Sequence, residues 1–169
     1  MNTRLKQRLA EKGTLFGTHV TMNDPVVSEL FGYAGYDYLW LDTEHTAIDY
    51  KEILSHICFA RQTDTPVVVR VYKNDQNHTK RVLEMGPDGV IFPMINTAEE
   101  ADAAMKSCMY PPFGVRGFAP RHAVRYGVDD VRDYILNGSL EISRFIQIET
   151  ETAVRNLPEI VKNTFIDGY

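Results

Sequence analysis

Asp42, Glu44 and His45 crowd four positions at the end of an apolar run, Tyr38–Leu41. Buried without partners, two carboxylates and an imidazole are a costly way to end a strand. At the open mouth of a sheet or barrel the same groups form an acid–base cluster, in which a carboxylate-held imidazole is a tunable base near neutral pH. Reactive side chains end other apolar runs too: His19 after Leu15–Gly17, Arg70 after Val67–Val69, and Gln147 and Glu149 after Phe145–Ile146. A carboxylate there is a hard oxygen ligand suited to Mg²⁺ or Mn²⁺. An arginine beside it stabilises negative charge developing on an oxygen. Singly, each has a plainer reading. His19 alone reads as a structural histidine, Arg70 as a salt-bridge partner, and Gln147 and Glu149 as braces for loop backbone. Jointly they suit metal-assisted enolate chemistry, and spacing alone names no substrate.

The elements that must position these groups alternate along the chain. Met1–Gly13 has the pattern of a short amphipathic helix with Leu5 and Leu9 as apolar points. A strand is expected over 15–20. A helix follows, with Asp24 as cap and Pro25 at its first position, with Val26, Val27, Leu30, Phe31 and Ala34 at helical spacing, and with Gly35 as its stop. Asp49 and Glu52 have capping-box spacing for a helix facing the core with Ile53, Leu54, Ile57 and Cys58. Residues 65–71 are the clearest strand. Asn74 or Asp75 caps the next helix, which turns Val82, Leu83 and Met85 inward and ends at Gly86. A strand over 89–94 precedes a second capping box, Thr97 with Glu100, and a helix carrying Ala101, Ala104, Met105 and Cys108. The stretch Tyr110–Val128 is a long loop rich in proline, glycine, arginine and histidine, of a length usually kept for function. A short helix over Val131, Tyr134 and Ile135 should stop at Gly138. A fifth strand spans 143–149, a helix interrupted by Pro158 follows, and Phe165–Tyr169 leads toward a sixth strand.

Strands apolar along their length and alternating with helices argue for a parallel sheet covered by helices. No glycine-rich phosphate loop follows any strand, so a dinucleotide-binding doubly wound sheet is the weaker choice. A βα-barrel fits better but needs about 250 residues, and this chain has 169. The net charge of -5 gives no pull toward nucleic acid or anionic membrane. No apolar stretch approaches the ~20 residues of a membrane span, and the N-terminus lacks the apolar core of a secretory signal. Cys58 and Cys108 fall on apolar helix faces, so both are expected as buried free thiols in a reducing cytoplasm.

The segments Leu39–His45, Pro66–Arg70, Val90–Met94, Tyr110–Gly117 and Ile146–Thr150 resemble the HpcH/HpaI aldolase family, the class II pyruvate aldolases, in order and over essentially the whole chain. The resemblance implies a (βα)8 TIM barrel of the phosphoenolpyruvate/pyruvate type, represented by residues 1–169 as a single partial domain of five strands and the start of a sixth. It implies reversible cleavage of 2-keto-hydroxy acids to pyruvate and an aldehyde, with a divalent cation (Mg²⁺, Mn²⁺ or Co²⁺) as cofactor and a cytoplasmic homo-oligomer, a hexamer in the family. Carried over, Glu149 is a metal ligand and Gln147 lies beside the bound pyruvate. Arg70 contacts the keto oxygen and stabilises the enolate. His45 moves a proton with Asp42 in its network, and Glu84 stands where the family more often has aspartate near that histidine. The family's second metal-binding carboxylate is expected just past Tyr169, so this chain by itself is expected to be impaired. Two other readings stand beside this one: an inactive short form serving as an assembly subunit, and a citrate-lyase-like acyl-CoA lyase.

Overall fold

Short runs of valine, isoleucine and leucine, each followed by a capped helix, set the frame of the chain. The computed structural model describes residues 4–169, so the expected start of the first helix at Met1 lies outside the described residues. Helix α1 (Arg4–Lys12) precedes β1 (Gly17–Val20), α2 (Val26–Tyr33), β2 (Tyr38–Asp42), α3 (Tyr50–Gln62), β3 (Val67–Arg70), α4 (Gln76–Glu84), β4 (Gly89–Phe92), α5 (Ala98–Cys108) and β5 (Ser143–Ile146). A last helix spans Glu151–Ile160. The five strands form one sheet in the order β1-β2-β3-β4-β5, every pair parallel. Sequential parallel neighbours joined by helices are the succession of a βα-barrel rather than of a doubly wound sheet, whose order reverses.

Side chains alternate between the two sides of this sheet. Leu39, Leu41, Val67, Val69, Val90 and Phe92 turn outward into the main core beneath the helices. Tyr38, Trp40, Val68, Ile91 and Phe145 turn inward and meet Leu5 of α1. Helix α1 lies across the starting ends of the strands: Arg8 donates to the carbonyls of Asp37 and Asp64, and Lys12 pairs with the Asp37 carboxylate. The inner face bounds a cavity of about 400 Å³, lined by Leu9, Trp40, Val68, Phe145 and Gln147 among others.

Both expected capping boxes form, at Asp49/Glu52 and Thr97/Glu100, and Asp75 caps α4. Asp24 accepts from the Val26 N–H at 3.0 Å, starting α2. Near Tyr169 the chain makes one parallel bridge, Phe145 with Gly168, at the place where a sixth strand is expected.

Three expectations need correction. Helix α2 turns only part of the expected side inward: Val27 and Phe31 are half-buried, Phe31 against the main core, while Val26 and Leu30 point outward. Ser28 is its buried residue and bonds His56 at 2.7 Å, and at Gly32 an added Cβ would lie 1.9 Å from the Thr63 hydroxyl. This small-residue face packs closely on α3, which leaves Val26, Leu30 and Tyr33 exposed. Gly138 does not stop a helix. The run 131–141 stays helical through a π-turn at 134–138, because Gly138 keeps ordinary right-handed backbone (φ -59°). Of the two thiols only Cys108 is fully buried, and burial pushes it up to about 11. Cys58 is half-buried, 3.5 Å from His122 Nε2.

His78 gives the fold a pH dependence. It is buried on α4 between the rings of Tyr50 and Tyr72, with Nδ1 2.7 Å from the Tyr50 hydroxyl and no partner on Nε2. Burial lowers its pKa to about 4. A depressed histidine pKa means that the unfolded chain binds the proton first. The stability is therefore full above the unfolded value near 6.5 and is lost as pH falls from there toward 4. Urea unfolding is expected to show wild type losing about 3 kcal/mol more than His78→Gln over that window. Equal losses would contradict it.

Candidate active site

The ends of the strands put the polar residues in place. Counting alternate positions, His19 of β1, Asp42 of β2 and Arg70 of β3 all take the inward side, as do Gln147 and Glu149 just past β5. Asp42 and Arg70 are direct register partners. Arg70 donates from Nε to Asp42 Oδ1 at 2.9 Å and from Nη2 to Oδ2 at 2.7 Å, a two-pronged pair that is almost wholly buried. Asp42 Oδ1 also accepts from the backbone N–H groups of Glu44 and His45. Burial pushes the Asp42 carboxyl up, but the Arg70 hydrogen bonds, the Glu44 and His45 amides and the guanidinium charge together hold it below the usual range. Asp42 therefore stays ionised, and its bond to Arg70 raises the pKa of the guanidinium.

The third nitrogen of Arg70 faces the other polar groups of the mouth. Nη1 lies 3.4 Å from Gln147 Oε1 and 3.2 Å from Glu44 Oε2, the latter an ion-pair distance without hydrogen-bond geometry. The guanidinium stands over the Trp40 ring at 5.4 Å. Gln147 is anchored by its own N–H to the Phe92 carbonyl and donates a long bond, 3.4 Å, to Glu149 Oε1. Glu149 is exposed and accepts from the Met94 N–H at 2.9 Å. Met94 sits at φ +56°, a left-handed conformation that a non-glycine residue holds only when its surroundings fix it.

The expected residues are not joined in the expected pairs. The imidazole of His45 is largely exposed and faces Glu44, 3.5 Å away, not Asp42, which receives only its backbone N–H. The imidazole beside Asp42 belongs to His19, with Nε2 3.4 Å from Oδ2 and the ring tilted against Trp40 at 5.4 Å. Sequence reasoning set His19 aside and passed over Trp40. The inward parity of their strand positions was the signal available. Glu84 does not join the cluster within this chain. It is the last residue of α4, at the end of the unit away from the strand mouths, and its charge acts on Tyr110. The long loop also stays away. It leaves α5 and lies over α4, with His122 bonding the Met85 carbonyl and Gln76 reaching the Val115 carbonyl. Its Arg116 is buried against the rings of Tyr110 and Tyr134.

Among the described residues no group of three or more His, Cys, Asp or Glu is arranged to hold a metal ion. The oxygens at hand are the Glu149 carboxylate and the Gln147 amide. Both are hard donors, and magnesium is commonly held by one or two carboxylates with water and substrate oxygens filling the shell. The set fits such a cation in kind, with Glu149 as its one charged ligand.

Comparison with known proteins matches residues 15–169 to the profile described as HpcH/HpaI aldolase/citrate lyase. The chain is 38% identical to 2-dehydro-3,6-dideoxy-6-sulfogluconate aldolase of Pseudomonas putida, over 95% of this chain and 62% of that protein. It is 32% identical to 5-keto-4-deoxy-D-glucarate aldolase of Escherichia coli, over 98% of this chain and 64% of that protein. It thus spans less than two thirds of these relatives. Among solved structures, an HpcH/HpaI aldolase/citrate lyase family protein of Burkholderia cenocepacia superposes with a TM-score of 0.88 at 28% identity, covering 98% of this chain and 67% of the other. Macrophomate synthase superposes with a TM-score of 0.83 at 26% identity, over 96% and 57%.

Proposed function

This chain belongs to the HpcH/HpaI aldolase/citrate lyase family, and from that premise we propose that it cleaves γ-hydroxy-α-keto acids to pyruvate and an aldehyde through an enolate. The observation that carries the reading is the Asp42–Arg70 pair: a buried guanidinium clamped on two nitrogens, with its third turned toward Gln147 at the strand mouth. Held that way, Arg70 presents fixed positive charge where the keto oxygen becomes an enolate oxygen, without reorganising during the reaction. Gln147 lies beside the keto acid and orients it. His45 moves a proton between the enolate carbon and solvent, which its exposure allows. Glu149 holds a divalent cation, Mg²⁺, Mn²⁺ or Co²⁺, which when bound supplies Lewis-acid polarisation of the keto group. Two relatives named as aldolases of keto-sugar acids support a free keto acid over an acyl-CoA substrate.

The test is pyruvate release from γ-hydroxy-α-ketobutyrate by the full-length protein. Release that stops with a chelator and returns with Mg²⁺ or Mn²⁺ is expected. Coenzyme A binding without such release would favour the acyl-CoA lyase instead. We further propose a cytoplasmic homo-oligomer, supported by the exposed apolar stripe Val26, Leu30 and Tyr33 on α2. Light scattering is expected to give a mass of several chains, and a monomer would refute it.

A further inference from the structure

We propose that Cys58 is a thiol–disulfide exchange site, activated by His122 and Arg61, that takes up a low-molecular-weight disulfide as a mixed disulfide. The proposal is independent of the aldolase reading. The long loop after α5 stays away from the strand mouths and instead lays His122 against α3 and α4. There the ring meets a half-buried thiol, with Cys58 Sγ 3.5 Å from Nε2. It also meets a guanidinium, with Arg61 Nη1 3.3 Å from the same nitrogen. Both come from α3, three positions apart and so on one face of it.

The Met85 carbonyl fixes what the ring does. It lies 2.6 Å from Nδ1 and only accepts, so Nδ1 carries the proton and Nε2 keeps its lone pair. Burial, with the Arg61 charge beside it, holds the His122 pKa below its usual value despite the Met85 bond, so that lone pair is open near neutral pH. Arg61 and Cys58 both face it, and only the thiol has a proton to give up. Arg61 is itself held through Nη2 on the Gly86 carbonyl at 3.1 Å, and Tyr126 stands edge-on to the imidazole. The loop carboxylate Asp129 is taken up by Arg125. A thiol next to a neutral imidazole and a fixed guanidinium has a base for its proton and a positive charge to face once ionised, the surroundings of reactive cysteines. Cys108 is the built-in comparison, fully buried and pushed up to about 11 by that burial. In the exchange, the thiol proton passes to Nε2 and the Cys58 sulfur attacks one sulfur of the disulfide, whose S–S bond breaks as the new one forms. Cys58 is oxidised to the mixed disulfide, the departing half is reduced, and it leaves as a thiol with the proton from His122, so atoms and electrons balance.

Dithiodipyridine and oxidised glutathione are the probes, applied to the folded protein near neutral pH. With dithiodipyridine, one thiol is expected to react at least ~10-fold faster than a cysteine peptide. Peptide mapping should place the adduct on Cys58 and leave Cys108 unmodified. Oxidised glutathione should give the same mixed disulfide, reversed by dithiothreitol. His122→Gln fills much of the ring's place with a group that takes no proton, and is expected to slow the reaction ~10-fold or more. Arg61→Gln should slow it as well. A wild-type Cys58 no faster than the peptide would overturn the proposal, whatever the variants do. So would an undiminished rate in a His122→Gln protein whose Cys108 stays unreactive, since the ring would then only shield the sulfur.

Discussion

Arg70→Ala is expected to reduce turnover by at least ~10³-fold, the scale set by removing a preorganised charge from a developing oxyanion. The same change is expected to destabilise the fold by about 3–5 kcal/mol, because it removes the guanidinium that pairs with the buried carboxylate of Asp42. From sequence alone the variant is expected to fold almost normally. Burial of the pair changes that expectation, so the alanine variant by itself cannot separate catalysis from folding. Arg70→Lys separates them. It keeps a charge near Asp42 but loses the planar fork that makes two bonds and still presents a third nitrogen. Turnover should fall ~10²-fold with most of the stability kept. Steady-state kinetics and urea midpoints on both variants check this. A lysine variant as active as wild type would leave Arg70 with only a structural role.

Glu149→Gln is expected to remove metal-dependent turnover, by ~10²-fold or more, with little change in stability. Glu149 does two jobs in this account. Its Oε2 accepts from the Met94 N–H and so braces a residue at φ +56°, and its charge is the one anionic ligand offered to a cation. Alanine would abolish both. Glutamine keeps an oxygen for Met94 and loses the charge, and an anionic oxygen is what a hard cation requires. Cation titration of the activity should shift to much higher concentration in this variant. A glutamine variant with unchanged metal response would reduce Glu149 to a brace.

The frame was legible because its signals are local. Val67–Arg70 reads as a strand from its β-branched run, and Thr97 with Glu100 reads as a helix start, since both sides of a capping box lie within one turn. The inward face of α2 was only half legible: Phe31 packs on the core as expected, but the closest approach to α3 is made by Ser28 and Gly32. The bond to His56 and the close approach at Gly32 decide the matter, and both depend on a neighbouring helix. The placing of Asp42, Arg70, Gln147 and Glu149 at or just past strand ends was legible in the sequence, but their pairing was not. Closeness in the chain suggested Asp42 with His45. Strand register instead sets Asp42 opposite Arg70, alternation brings His19 to the same side, and His45, three residues past the strand, turns to Glu44. Glu84, the last residue of α4, lies away from the strand mouths of its own chain, because that end of a helix in a βα unit is remote from them.

Deuterium exchange into the methyl group of pyruvate tests the central claim most directly, because it reports enolate formation at Arg70 and Glu149 with no acceptor aldehyde involved. The full-length protein with Mg²⁺ should exchange these protons, and chelation, Arg70→Lys or Glu149→Gln should each slow the exchange ~10²-fold or more. No exchange with Mg²⁺ present, or exchange indifferent to Arg70 and Glu149, would contradict the account.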